Sequence, residues 1–115
     1  MAIPHAGPGL PVELRPAGES RTEPRSIALI KTNEFEVIRL ILPQGHEVCH
    51  EHQVDGPVTI QCLEGRATLT VEGTTHDLAA GRWLYLPARV PHTLRGLEDS
   101  LVLLTIIFSG AGHGT

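Results

Sequence analysis

The sequence predicts a single all-β domain built as a sandwich or a barrel. Strand-like runs, mostly four to eight residues long, recur from Ser26 onward and are separated by turn-forming residues. No window combines a helical period of apolar residues with helix start and stop signals. The chain of 115 residues has the size of one domain, and its 41% hydrophobic content suffices for a core. Short strands uninterrupted by helices are typical of a sandwich or barrel.

The first 25 residues are predicted to form an extended arm. Prolines and glycines recur through this segment, and each proline removes a backbone donor and restricts the residue before it. The apolar residues Leu10, Val12 and Leu14 alternate with other residues, which is compatible with an edge strand in part of the arm.

Residues 26–110 are predicted to form the barrel domain, and residues 111–115 a flexible tail. In the run ATLTVEG, Ala67, Leu69 and Val71 alternate with polar residues, so this strand should face water on one side. The predicted strands are the runs at 26–31, 35–42, 57–63, 66–73, 75–78, 82–87, 92–96 and 101–108.

The last predicted strand, residues 101–108, is apolar on both faces. One face can fill the core, but the other needs a cover, because a large exposed apolar patch marks an interface. We expect a second subunit, or the N-terminal arm of a partner, to provide it. The sequence therefore predicts a homodimer.

The charge balance argues against one class of partner. The formal net charge is -4, and no cluster of lysines and arginines appears. Between Arg15 and Arg25 the arginines are interleaved with Glu19 and Glu23, which neutralise the local field. Because nucleic-acid binding usually needs a basic patch or stripe, no nucleic-acid partner is expected.

Cysteine usage and hydropathy predict the compartment. Cys49 and Cys62 lie inside strand-like runs, so we expect buried, reduced thiols and no disulfide framework. The longest apolar run, residues 101–108, is far shorter than the ~20 residues of a membrane span, and no leader pattern precedes it. A cytoplasmic protein without a membrane partner is expected.

The segment CHEHQVDGPVTIQCLEG, which begins at Cys49, contains the most informative polar residues. On a strand, His50 and His52 point to the same side, which is the minimum geometry for a two-point chelate. His46 has the same parity. His92 follows a proline-containing turn at a predicted strand start and is the candidate for the distant partner.

The segment GRWLYLPARVPH resembles the second motif of the cupin family, in which a glycine, a proline and a histidine recur at fixed spacing. The three residues are Gly81, Pro87 and His92. Arg89 stands where the family usually has glycine, and Gly96 where it often has asparagine. The segment HEHQVDGPVTIQCLEG is similar to the first cupin motif.

The resemblance spans roughly residues 36–108. It implies an all-β cupin fold, a double-stranded β-helix or jelly-roll barrel, with an extended N-terminal arm. A barrel of about eight strands has room for one small ligand. The residues expected to line this pocket are His46, Val58, Ile60, Cys62, Leu84 and Leu86.

The first motif departs from the family pattern at the metal-binding glutamate. Counting back from Gly65, this position is Val58, which cannot bind a metal. Strict spacing would pair His52 with Val54, whereas one extra loop residue would keep His50 and His52 in the family roles. His52 belongs to the site under both alternatives.

His50, His52 and His92 would form a three-histidine set, which Zn²⁺ accepts in catalytic sites with water at the open position. Fe, Ni, Mn and Cu also bind imidazole. The resemblance thus implies a cupin of unassigned activity that binds a divalent transition metal and a small molecule. The alternatives are a metal-free ligand-binding or sensor protein, a three-histidine dioxygenase similar to the thiol dioxygenases, and a sugar-isomerase-like enzyme with His52 as base.

Four further side chains carry predictions. Arg39 shares a strand face with apolar residues and is expected at a solvated rim or, alternatively, in the cavity as an anion anchor. Trp83 and Tyr85 share one face of their strand and suit a subunit contact. His76, in a predicted hairpin, is expected at the surface.

Overall fold

The structure is a computed structural model that describes residues 7–15, 18–50 and 56–108, with only the backbone described at His50. His52, Val54 and the predicted tail lie outside these ranges. Every regular element in the described ranges is a β-strand: β1 (Arg25–Lys31), β2 (Phe35–Leu42), β3 (Glu47–His50), β4 (Val58–Glu64), β5 (Arg66–Val71), β6 (Thr74–Ala79), β7 (Trp83–Leu86), β8 (His92–Gly96) and β9 (Ser100–Ile107). These ranges contain no helix with the length and apolar character needed to cross a membrane.

The nine strands form two sheets in which every pairing is antiparallel. The five-stranded sheet has the order β1-β2-β9-β4-β7, and the four-stranded sheet has the order β3-β8-β5-β6. The chain changes sheet repeatedly, so strands that are neighbours in sequence often lie in opposite sheets. This arrangement is a jelly-roll barrel and confirms the predicted fold class.

The hydrophobic core lies between the two sheets and is built by period-two alternation. Ala67 and Leu69 on β5 are fully buried, while Thr68 and Thr70, which alternate with them, are only half-buried. Burying each large aliphatic side chain contributes roughly 1.5–3 kcal/mol relative to leaving it in water. The core cluster comprises Leu40, Leu42, Val58, Ile60, Cys62, Ala67, Leu69, Leu78, Leu86, Leu94, Val102 and Leu104.

One end of the barrel, here called the closed end, contains the four turns at residues 43–46, 65, 80–82 and 97–99. These turns are cross-linked by backbone hydrogen bonds. The Gly45 amide donates to the Gly96 carbonyl (2.8 Å), and the Gly96 amide donates to the His46 carbonyl (3.0 Å). The Ala80 amide similarly donates to the Gly65 carbonyl (3.2 Å).

Two glycines allow the backbones to approach so closely at the closed end. A Cβ added at Gly65 would meet the Asp99 carbonyl and the Ser100 hydroxyl, and Gly65 also has a φ of 79°. A Cβ at Gly96 would lie 2.8 Å from the Leu42 carbonyl. Gly96 therefore leaves no room for the asparagine that the family often has here.

The arm departs from the expectation of an edge strand. Residues 7–15 and 18–24 contain turns and bends but no strand, and the Leu10 side chain is 69% exposed. With prolines repeatedly removing donors, the arm instead attaches through ion pairs. Arg21 donates to a carboxylate oxygen of Glu64 at 2.9 Å, and Glu19 accepts from Arg25 at 3.1 Å.

Arg39 is neither at a solvated rim nor in the core cavity, so both predictions for it were wrong. The residue is only 6% exposed and lies on the outer face of the five-stranded sheet. Its guanidinium donates to both carboxylate oxygens of Glu19, at 3.0 and 3.1 Å. The arm covers Arg39, and this contact could not be read from strand alternation alone.

The two cysteines are free, but they differ in burial. Cys62 is fully buried, as predicted, and burial raises the pKa of its thiol. Cys49 is exposed, which corrects the expectation of a buried thiol. It lies on the outer face of the edge strand β3, where its sulfur is 3.5 Å from the Thr93 hydroxyl oxygen.

Candidate functional site

The end of the barrel opposite the closed end, here called the histidine end, contains the turns at residues 32–34, 72–73 and 87–91. β3 finishes at this end with His50, and β8 begins there with His92. The two strands are antiparallel, and their register pairs His50 directly with His92. The fold thus brings together two of the three predicted metal-binding positions, which are 42 residues apart in sequence (92 − 50).

His92 is a buried histidine with a defined orientation. The residue is 5% exposed, and its Nδ1 lies 3.0 Å from the Val90 carbonyl oxygen. Because a carbonyl can only accept, this hydrogen bond requires a proton on Nδ1, which leaves the lone pair of a neutral ring on Nε2. Histidines that bind metals are commonly oriented by such a bond from the other ring nitrogen.

The residue that replaces the metal-binding glutamate of the resembled motif lies in the core. Val58 begins β4 and pairs with Leu86 on one side and Ile106 on the other. At 4% exposure, it belongs to the hydrophobic core. Among the described residues, no group of three His, Cys, Asp or Glu side chains could hold a metal ion. A site with three such ligands therefore needs at least one ligand from outside the side chains that the structure describes.

The turn before His92 contains a strained residue. Arg89 has a φ of 64°, in the left-handed region that non-glycine residues avoid at a cost of about 1–2 kcal/mol. This conformation explains why glycine is usual here in the resembled motif. The turn leads through Val90, whose carbonyl orients the His92 ring. The strained position thus directly precedes the residue that holds the imidazole.

A pocket of about 190 Å³ opens between the edge strands of the two sheets, β6 and β7. Its walls are Leu69 and Val71 from β5, together with Leu84 and Leu86 from β7. Val71 pairs directly with His92, so the pocket approaches the histidine end. The residues that complete the lining are His76 and Tyr85, of which Tyr85 has its side chain on the opposite face of β7 from Leu84 and Leu86.

His76 is exposed, as predicted, but it also lines this pocket. The position of His76 in the sheet explains both properties. His76 pairs with the core residue Leu69 and so shares the inward face, while β6 lies at the sheet edge. The sequence alternation already contained this information, since His76 is two residues from the buried Leu78. The sequence could not show that the barrel opens at this edge.

The remaining predicted pocket residues lie elsewhere. Ile60 and Cys62 are fully buried core residues on β4, and neither lines the pocket. His46 lies in the closed-end turn, four residues or about 13 Å of strand from His50. Of the expected lining, the pocket contains Leu84 and Leu86.

Comparison with known proteins identifies the family. The family model described as "Cupin domain" matches residues 38–108, which span β8, His92 and the Val58 position. The chain belongs to the cupin family. A relative in Aquifex aeolicus (strain VF5), described as an uncharacterized protein, is 33% identical over 82 residues, covering 70% of this chain and 67% of the relative.

Solved cupins share the barrel. An RmlC-like cupin from Desulfovibrio desulfuricans superposes with a TM-score of 0.73 at 22% identity, covering 85% of this chain and 97% of that one. A salicylate 1,2-dioxygenase mutant from Pseudoaminobacter salicylatoxidans gives a TM-score of 0.66 at 19% identity, covering 72% of this chain but only 26% of the enzyme. At these identities the likeness shows the fold alone.

Proposed function

We propose that this cupin binds a divalent transition metal through His50, His52 and His92, and a small molecule in the adjacent pocket. The observation that carries the proposal is the pairing of His50 with the buried, oriented His92. Residues paired directly across an antiparallel ladder share a sheet face, so the pair can act as a chelate. His52, two residues along, would complete the set.

The chemistry of this donor set suits several first-row metals. Three neutral imidazoles without a carboxylate resemble the ligands of some catalytic zinc sites, in which water occupies an open position. A bound metal would supply Lewis acidity toward a coordinated oxygen. The protein's contribution is to orient His92 through the Val90 carbonyl and to hold it away from bulk water.

The pocket indicates the class of small molecule. Its walls are aliphatic, and the polar side chain on the inward face of its lining is the imidazole of His76. An imidazole can hydrogen-bond to a ligand as donor or acceptor. A compact organic molecule with an apolar body and one polar or acidic group fits such a lining, because binding pockets are mostly apolar with few polar anchors.

Elemental analysis of the purified protein tests the metal site. We expect about one equivalent of metal in the wild type and at least a tenfold loss of affinity in His92→Ala, because removing one of three ligands opens the chelate. His46→Ala is the matched control, since His46 lies at the closed end. Circular dichroism should show both variants folded. Full metal retention by His92→Ala would contradict the proposal.

A second function is favoured by a separate observation, the buried Val58 at the carboxylate position. This candidate is a metal-free carrier or sensor of the same class of small molecule. It predicts no stoichiometric metal in the wild type. Titration with salicylate, a compact aromatic acid, should still perturb the amide resonances of Leu69, Val71 and Leu84 in wild type and His92→Ala alike.

A further inference from the structure

The inner face of the four-stranded sheet has two rows of paired positions near the histidine end. The row nearest that end consists, in strand order, of His50, His92, Val71 and Thr74. The next row, one step toward the closed end, consists of Val48, Leu94, Leu69 and His76. Three residues of this second row are aliphatic and belong to the core or pack against it. His76 is the polar member of an otherwise apolar row.

The His76 imidazole is free to bind a ligand. Its neighbour Asp77 faces the other side of β6, where it forms an ion pair with Arg66 at 2.8 Å. Within the described ranges, the His76 ring makes no hydrogen bond or ion pair. His76 nevertheless lines the pocket, beside aliphatic side chains. A polar group placed in this way is the kind of anchor that fixes the orientation of a bound molecule.

An aliphatic surface on β5 joins His76 to His92. Leu69 pairs with His76. Two residues farther along β5, Val71 pairs with His92. The Cα atoms of the two histidines are thus two strands and one two-residue step apart, which is about 12 Å at ~4.8 Å between strands and ~3.4 Å per residue. A molecule that reaches from one histidine to the other lies along this aliphatic surface.

The charges around the pocket favour an anion at His76. Either protonation state of an imidazole has an N–H donor, and the protonated state adds a positive charge. Among the described residues that line the pocket, none is acidic. The carboxylate of Asp77 is turned outward and is paired with Arg66 through two hydrogen bonds. A carboxylate can therefore approach His76 without facing a like charge in the pocket lining.

We propose that His76 determines specificity by binding a carboxylate at the end of the small molecule that lies remote from His92. This inference rests on the proposed function, because the other end of the molecule must reach the metal-binding histidines. The class of ligand is then a short dicarboxylate, with an apolar chain between two acid groups. The chain lies on Leu69 and Val71, and one carboxylate accepts a hydrogen bond from His76.

Isothermal titration calorimetry on the zinc-loaded full chain tests this assignment with adipate and hexanoate, a diacid and a monoacid of the same carbon number. His76→Leu should weaken adipate binding about tenfold, because a hydrogen bond to a charged group is lost. It should not weaken hexanoate binding, since the single carboxylate of hexanoate lies at the His92 end. His76→Gln keeps an N–H donor and should lose less adipate affinity. His46→Leu makes the same substitution at the closed end and should leave both affinities unchanged.

Metal content separates the failure of this inference from that of the metal site. His76→Leu should retain the zinc of the wild type, because His76 is not among the proposed ligands. Loss of that zinc, unchanged adipate affinity in His76→Leu, or no adipate binding by the zinc-loaded wild type would overturn the role of His76. If the wild type holds no metal, the metal site fails on its own. Hexanoate binding to the metal-free chain then decides: a loss in His76→Leu supports the carboxylate anchor, and unchanged binding overturns it.

Discussion

The closed end and the histidine end of the barrel differ in how their turns are bonded to one another. At the closed end, turns from both sheets bond to one another, and the buried Ser100 hydroxyl accepts from the Arg66 amide (3.0 Å) and donates to the Glu98 carbonyl (2.8 Å). At the histidine end, the corresponding bonds include Ile107 to Pro57 and Phe108 to Glu34. The closed end determines how the sheets fit together, while the histidine end presents side chains.

The difference shows how one fold separates stability from chemistry. At the closed end the backbone contacts leave no space for a side chain at Gly65 or Gly96, so these two positions are constrained by geometry. At the histidine end a strained residue, Arg89, is tolerated beside His92. Strain of this kind concentrates near functional sites and is compensated by the rest of the structure. Substitutions at the two ends should therefore differ in cost.

The largest expected effect is at Gly65. Gly65→Ala should destabilise the fold by at least about 3 kcal/mol, because it combines a left-handed φ with overlap against the Ser100 hydroxyl (2.6 Å). Gly73→Ala is the matched control at the histidine end, where φ is 80° but no atom lies within 4 Å of the added Cβ. It should cost only about 1 kcal/mol. Urea denaturation measures both, and equal losses would contradict the contrast between the ends.

The ion pair between Glu19 of the arm and Arg39 of β2 is expected to give the next largest effect. Glu19→Gln should cost about 3 kcal/mol, because it leaves the buried guanidinium of Arg39 without its carboxylate. Arg39→Met should cost clearly less, since replacing the buried charge by an apolar side chain also removes its desolvation penalty. Thermal unfolding of both variants checks the order. A larger loss in Arg39→Met would show that the guanidinium is needed for more than its pairing.

A smaller effect is expected from pH. The Arg21 guanidinium, through its hydrogen bond, holds the pKa of Glu64 below its ordinary value of 4.5. This pair therefore stabilises the fold above that value, and the contribution is lost as the pH falls through the lower folded pKa. Glu64 is partly exposed, so the pair is worth less than about 1 kcal/mol. The free energy of unfolding of Arg21→Met should fall less steeply below pH 4.5 than that of the wild type. An unchanged dependence on pH in this range would contradict this account.

The smallest expected effect is a gain at the histidine end. Glu72 has a φ of 52° in the exposed turn that it forms with Gly73. Asparagine tolerates this conformation better than glutamate, and Asn-Gly is a favoured pair in two-residue hairpin turns. Glu72→Asn should stabilise the protein by about 0.5 kcal/mol. A stability loss in urea denaturation would show that the carboxylate contributes more than the backbone strain costs.

The sequence predicted most of the barrel because a strand with one face in the core and the other toward water alternates apolar and polar residues. Eight runs correspond to eight strands, and only β3 was absent from the predicted set, although His50 and His52 were treated as strand positions. β3 is four residues long and lies at a sheet edge, so the run EVCH has too few residues to show a period. Its exposed Cys49 could still have been inferred from its shared parity with Glu47.

The candidate site was less predictable because it depends on contacts between distant segments. The motif spacing singled out His92, but only the register of β3 against β8 places His50 opposite it. Arg39 was misplaced because its partner, Glu19, lies 20 residues away in an arm without periodic signal. The opening between β6 and β7 likewise arises from sheet order rather than from a local pattern.

The register of β3 and β8 is anchored far from the histidines, by the bonds that join Gly45 and His46 to Gly96. A residue inserted or deleted between β3 and β4 would leave that anchor untouched. It would change only how many residues separate His50 from Val58. For the proposed metal site, loop length would then decide which side chains accompany His50 as ligands, while the core packing stays unchanged.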